Sequence, residues 1–130
     1  MHKLLAIPLT YRWLITLAFV ALIIVLSVTP GKSEYGDTVF VWLVEHTPTL
    51  VQKAMHIGCY AVITALFAWS LESIESLTVR LMLSLTLALA LGAVLEWYQT
   101  RVPGRFGTLV DVLLNALGAL IGLLVAALMI

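Results

Sequence analysis

Charge is scarce in this chain. Charged side chains make up 11% of its 130 residues, seven basic and seven acidic, against 62% hydrophobic. So sparse and balanced a set excludes a basic tail or patch for nucleic acid. One cysteine, Cys59, lies inside an apolar run; no intramolecular disulfide is available, and the thiol reads as a small packing group. No phosphate-cradling glycine loop, dinucleotide fingerprint or nucleophile elbow occurs. No A-x-A-like cleavage site follows the apolar stretch Trp13–Leu26. Lys3 and Arg12 are therefore expected to introduce a retained first membrane helix, or signal anchor, and not a cleaved leader.

What is present is long apolar runs. Four of them approach the ~20 helical residues that cross a bilayer core: Tyr11–Thr29, Val51–Leu71, Val79–Tyr98 and Thr108–Ile130. Only helices or closed barrels satisfy their backbone in lipid, so the expected fold is all-α: an integral membrane four-helix bundle in a single domain, residues 1–130. Pro30-Gly31 stops the first helix, and Tyr11 and Trp13 flank its start with Arg12 placed to snorkel. The first loop is the longest and holds Val39–Val44, too short to span. It is expected as a short interfacial or re-entrant helix capped by Asp37 or Thr38 and stopped near Pro48. Lys and Arg number three on the side of the N-terminus and second loop against four on the other. If Lys53 and Arg105 belong to a site, the remainder favours a cytoplasmic N-terminus.

An ionisable side chain at membrane depth costs on the order of 3 kcal/mol by insertion scales and normally faces a bundle interior or a wet cavity. The few polar residues inside the apolar runs therefore carry the functional argument. Lys53, His56, Tyr60 and Thr64 form one stripe, with spacings of three, four and four. Glu96 and Gln99 share a face at the end of the third helix, and Asp111, Asn115, Gly118 and Gly122 share one at the start of the fourth. Chain direction brings all three sets to the membrane face of the first and third loops. One cluster of His56, Glu96, Arg105, Asp111 and Asn115 is expected there, with Lys53, Tyr60 and Gln99 close by. The turn Pro103-Gly104-Arg105-Phe106-Gly107 is expected to set Arg105 between the helices that supply the acids. Glu72 and Glu75 read as a hydrated turn; His2 and His46 have no partner at useful spacing and read as solvated or interfacial.

Such a cluster supports three readings. Arg105 and Lys53 can engage a phosphate-bearing lipid head group, since a guanidinium offers five fixed donors, with Glu96 and Asp111 orienting Arg105 and His56. His56, Glu96 and Asp111 are candidates for acid–base work on a lipid phosphate. The charges can also neutralise one another and tie the helices together as a scaffold. His56, Glu96 and Asp111 are possible metal ligands as well, but nearby Lys53 and Arg105 would oppose a cation; no metal or cofactor is expected. Gly118-x-x-x-Gly122 forms a groove for close backbone approach, either inside the chain or in a homodimer.

Lys53-x-x-His56-x-x-x-Tyr60, followed by Glu96-x-x-Gln99, Arg105, Asp111-x-x-x-Asn115 and Gly118-x-x-x-Gly122, resembles the VanZ-like family over nearly the whole chain. These are small bacterial membrane proteins named for a member associated with teicoplanin resistance. The resemblance implies a multi-pass protein of the bacterial inner membrane acting in the cell envelope. It marks Lys53, His56, Tyr60, Glu96, Gln99, Arg105, Asp111, Asn115 and Gly118 as signature residues. An acid often precedes the lysine in this family, and an aromatic commonly follows the histidine; here those places hold Gln52 and Ile57. A mechanism needing an acid at position 52 is therefore not expected. The function expected from residues and resemblance together is binding of an anionic envelope lipid or lipid-linked head group, tied to glycopeptide tolerance.

Overall fold

A computed structural model describes residues 6–29, 38–102, 105 and 107–129. Five helices follow in chain order: α1 Leu9–Val28, α2 Val39–His46, α3 Thr49–Ser70, α4 Leu77–Gln99 and α5 Leu109–Met129. All but α2 are long and apolar enough to cross a membrane, as expected, with ends shifted by one or two residues. Pro30-Gly31, Asp37, the Pro103-Gly104 pair, Phe106 and Ile130 lie outside the described residues.

Local chemistry sets the helix starts. Thr38 caps α2, its hydroxyl accepting the Val41 N–H at 3.3 Å, and Ser76 caps α4 by accepting from Val79 at 3.4 Å. Thr108 does the same for α5, accepting the Asp111 N–H at 3.1 Å. Pro8 and Pro48 precede α1 and α3, where a missing N–H costs nothing.

The bundle is apolar outside and small or polar inside. Leu50, Leu109 and Leu128 are more than 70% exposed, as suits lipid contact. On α4, by contrast, the buried face runs through Arg80, Ser84, Ala88, Gly92 and Glu96, one residue every four. Lipid tails are as apolar as leucine, so little is gained by hiding leucine; helices associate through close backbone packing and internal hydrogen bonds. The most extensive packing is α3 against α5. A Cβ at Gly118 would run into the Ile57 carbonyl, and one at Gly122 into the Ala61 carbonyl. Of the two uses open to the glycine stripe, the structure therefore displays the intramolecular one. Ile23, Tyr60, Ile63, Phe67, Ala88, Leu95 and Ala119 fill the core between the helices.

Candidate functional site

Two polar layers lie inside the bundle, one towards each end. The layer at the start of α3 and α5 and the end of α4 is the one expected from helical spacing. Gly107 builds its corner. A side chain there would collide with the Glu96 carbonyl and with Thr100, so glycine lets the connection fold back onto the last turn of α4. That brings the Thr108 N–H to within 3.4 Å of Glu96 Oε2. Glu96 thus meets the amino end of α5, whose first turn also carries Asp111. The positive end of the helix dipole favours both carboxylates there.

His56 joins these groups. Its Nδ1 lies 2.6 Å from Asn115 Oδ1 and 3.7 Å from Glu96 Oε1, while Nε2 lies 4.0 Å from Asp111 Oδ1. With its amide oxygen towards the ring, Asn115 can only accept. In the neutral ring the proton then sits on Nδ1, and Nε2 presents its lone pair towards Asp111. Glu96 and Asn115 are almost wholly buried, at 4% and 2% exposure. Asn115 Nδ2 is the one buried side-chain nitrogen or oxygen without a partner among the described residues. An unmade buried hydrogen bond of this kind costs ~1–3 kcal/mol.

On its other side His56 borders an open-sided cavity of about 370 Å³ lined by α1, α2 and α3, with Gln99 of α4 and Arg105. Leu26, Leu43, Val51 and Met55 give it apolar lining, and His56, Tyr60, Gln99 and Arg105 give it polar groups. His56 therefore stands between the cavity and the carboxylates, which do not line it. Gln52 also reaches the cavity and holds down α2, donating to the Val44 and Thr47 carbonyls at 3.1 and 3.0 Å. An acid at that position would have no proton to give those carbonyls, which accounts physically for glutamine there.

Three expectations need correction. Arg105 does not bridge the carboxylates: its Nη1 donates to the Leu26 carbonyl at 3.1 Å, and Gln99 Nε2 donates to the Ser27 carbonyl at 3.1 Å. Both carbonyls belong to the last turn of α1, whose carbonyls run out of intrahelical donors, and side chains supply them. Burial lowers the Arg105 pKa from its ordinary value while Glu96 and Asp111 pull it back up, so the guanidinium stays cationic. Lys53 is half-buried on α3, does not line the cavity, and makes no ion pair with either carboxylate. His46 is not partnerless: its Nδ1 lies 2.8 Å from the Trp42 carbonyl oxygen, and its ring stacks on Trp42.

The second layer, about 20 Å along α3 from His56, was missed. Arg12 is buried, pairs with Glu72, donates to the Ile7 and Trp69 carbonyls and lies over the Trp69 ring. Arg80 Nε donates to the Ala68 carbonyl, and Thr16 bonds to Ser70 at 2.7 Å. Two arginines thus cap the carbonyl end of α3, where the helix dipole favours cations. Arg12 does not snorkel, and Glu72 is an ion-pair partner as well as part of a turn. The available signal was Arg12-x-x-x-Thr16 and Arg80-x-x-x-Ser84, two polar pairs with helical spacing inside apolar runs.

Residues 8–130 match the family described as VanZ/LLP1. No curated protein and no solved structure matches the chain.

Proposed function

The chain belongs to the VanZ/LLP1 family, and from that premise we propose that it binds an anionic envelope lipid, or a lipid-linked head group, in the bacterial inner membrane. The observation that carries this reading is the cavity between α1, α2 and α3, whose mostly apolar lining also includes His56, Tyr60, Gln99 and Arg105. A lipid tail lies along the wall, and its phosphate meets Arg105, the cationic residue among those that line the cavity. One Arg105 nitrogen is committed to Leu26, which aims the rest of the fork and reduces the ordering cost of binding. Lys53 has no part in this arrangement. Tyr60 supplies a hydroxyl donor beside the phosphate, and His56, its Nδ1 taken by Asn115, forms the wall between the ligand and the carboxylates of Glu96 and Asp111. Holding a lipid-linked wall intermediate in this way would alter its supply to wall synthesis, which connects the site to glycopeptide tolerance.

One observation favours a purely structural role: Gln99 and Arg105 close the carbonyl end of α1. The two readings separate in a titration of detergent-purified protein with a phosphate-bearing lipid and a phosphate-free lipid of the same chain length. Wild type is compared with Arg105→Gln and with Val51→Trp, which narrows the cavity from a half-exposed position. Lipid binding predicts saturable thermal stabilisation by the phosphate lipid alone. Each variant should weaken it about tenfold or more, since a hydrogen bond to a charged group contributes ~1.5–3 kcal/mol. Equal stabilisation by both lipids, or unaltered affinity in Arg105→Gln, would leave the structural reading.

A further inference from the structure

We infer that His56, Glu96 and Asp111 form a divalent-cation site suited to a first-row transition ion such as Zn²⁺ or Mn²⁺. The inference rests on reading this layer as a ligand site, and adds to that reading a ligand separate from the lipid. Each of the three residues offers a donor atom from a different helix, all within 4.8 Å of one another. Three helices packed around one point hold such donors at little cost in side-chain freedom.

The hydrogen bonds around the triad leave the required lone pairs. Asn115 Oδ1 takes the Nδ1 proton of His56, the outer-shell bond that orients a metal-bound imidazole and sets its tautomer. Nε2 then faces Asp111 Oδ1 at 4.0 Å, acceptor against acceptor. A cation about 2.1 Å from each atom spans up to ~4.2 Å between them. Glu96 gives Oε2 to the Thr108 N–H and keeps Oε1 beside the ring.

Charge argues the same way. Arg12 pairs with Glu72 in the other layer, but among the described residues neither Glu96 nor Asp111 has a lysine or arginine within ion-pair distance. Arg105 acts on them only from a distance, since it points to the Leu26 carbonyl, and the amino end of α5 adds a partial charge. Of the two cations expected to oppose a metal, Lys53 pairs with neither carboxylate and Arg105 acts only at longer range, against two carboxylates. Asn115, bonded to the same histidine, keeps a buried Nδ2 without a partner, so the layer holds an unmet polar group beside the triad. One imidazole with two carboxylates is a mixed nitrogen and oxygen set, which selects Zn²⁺ or Mn²⁺ over Ca²⁺.

The test uses the full chain in detergent, stripped with a chelator, equilibrated with Zn²⁺, Mn²⁺ or Mg²⁺ and assayed for bound metal by elemental mass spectrometry without added lipid. Affinity follows from competition with a chromophoric chelator. About one equivalent of Zn²⁺ or Mn²⁺ is expected in wild type and in the control Glu72→Gln, at the far layer. Asp111→Asn, at the partly exposed start of α5, keeps the shape of the side chain and should lose the metal. Asn115→Ala should weaken binding about 10–100-fold by freeing the histidine. Helicity and elution volume confirm that each variant is folded. No retained metal in wild type, or equal retention in Asp111→Asn, overturns the inference. Lipid stabilisation without metal retention would overturn it while leaving the lipid reading standing. Metal retention without lipid binding would support it and sink the lipid reading.

Discussion

Three glycines test whether backbone contact, and not apolar side-chain burial, holds this bundle together. A Cβ added at Gly58 meets nothing within 4 Å. One added at Gly92 comes to 3.0 Å from Tyr60 Cε1 and 3.1 Å from Asn115 Nδ2, side-chain atoms with some freedom to move. One added at Gly122 overlaps the Ala61 carbonyl, which can yield only if α3 and α5 part. Alanine is favoured over glycine inside a helix by up to ~1 kcal/mol, so Gly58→Ala should be neutral or stabilising. At Gly92 that gain is offset by a shift of a few tenths of an ångström, for a net change within about 1 kcal/mol. At Gly122 overpacking costs ~1–3 kcal/mol or more, since the obstruction is backbone. Thermal unfolding in one detergent, at roughly 3–5 °C per kcal/mol for a chain of this size, should rank Gly58→Ala highest and Gly122→Ala lowest. If Gly122→Ala melts at or above Gly58→Ala, the close α3–α5 contact is not what stabilises the bundle.

Two further outcomes follow from the capping layers. Arg12→Met removes the partner of Glu72 and a donor to the Trp69 carbonyl, and should cost ~3 kcal/mol by the same melting assay. Glu72 is 44% exposed, so Glu72→Gln should cost less than about 1 kcal/mol; equal losses would mean the ion pair matters and the cap does not. Thr38→Ala should weaken α2 by ~1 kcal/mol and speed amide exchange at Val41, leaving exchange in the interior of α3 unchanged. Loss of protection throughout the chain would show that α2 is part of the cooperative bundle.

Composition and apolar run length alone decided that this is a four-span helical membrane protein with a short extra helix in its first loop. In lipid the polar backbone must be satisfied internally, and unbroken apolar runs of this length suit helices, not the short alternating strands of a closed barrel. Spacing by three and four decided that His56, Glu96, Asp111 and Asn115 share a depth and an interior face, because a helix allows those residues only one side. Partnership was not legible, because it depends on which carbonyls the helix ends leave without donors. Arg105 and Gln99 turn to Leu26 and Ser27 at the end of α1, and Arg12 and Arg80 to Trp69 and Ala68 at the end of α3. Nor was the cavity, since its lining joins α1, α2 and α3 to Gln99 and Arg105, far from them in sequence. A lone charge in an apolar sequence announces that it must be satisfied; only the packed helices determine by what.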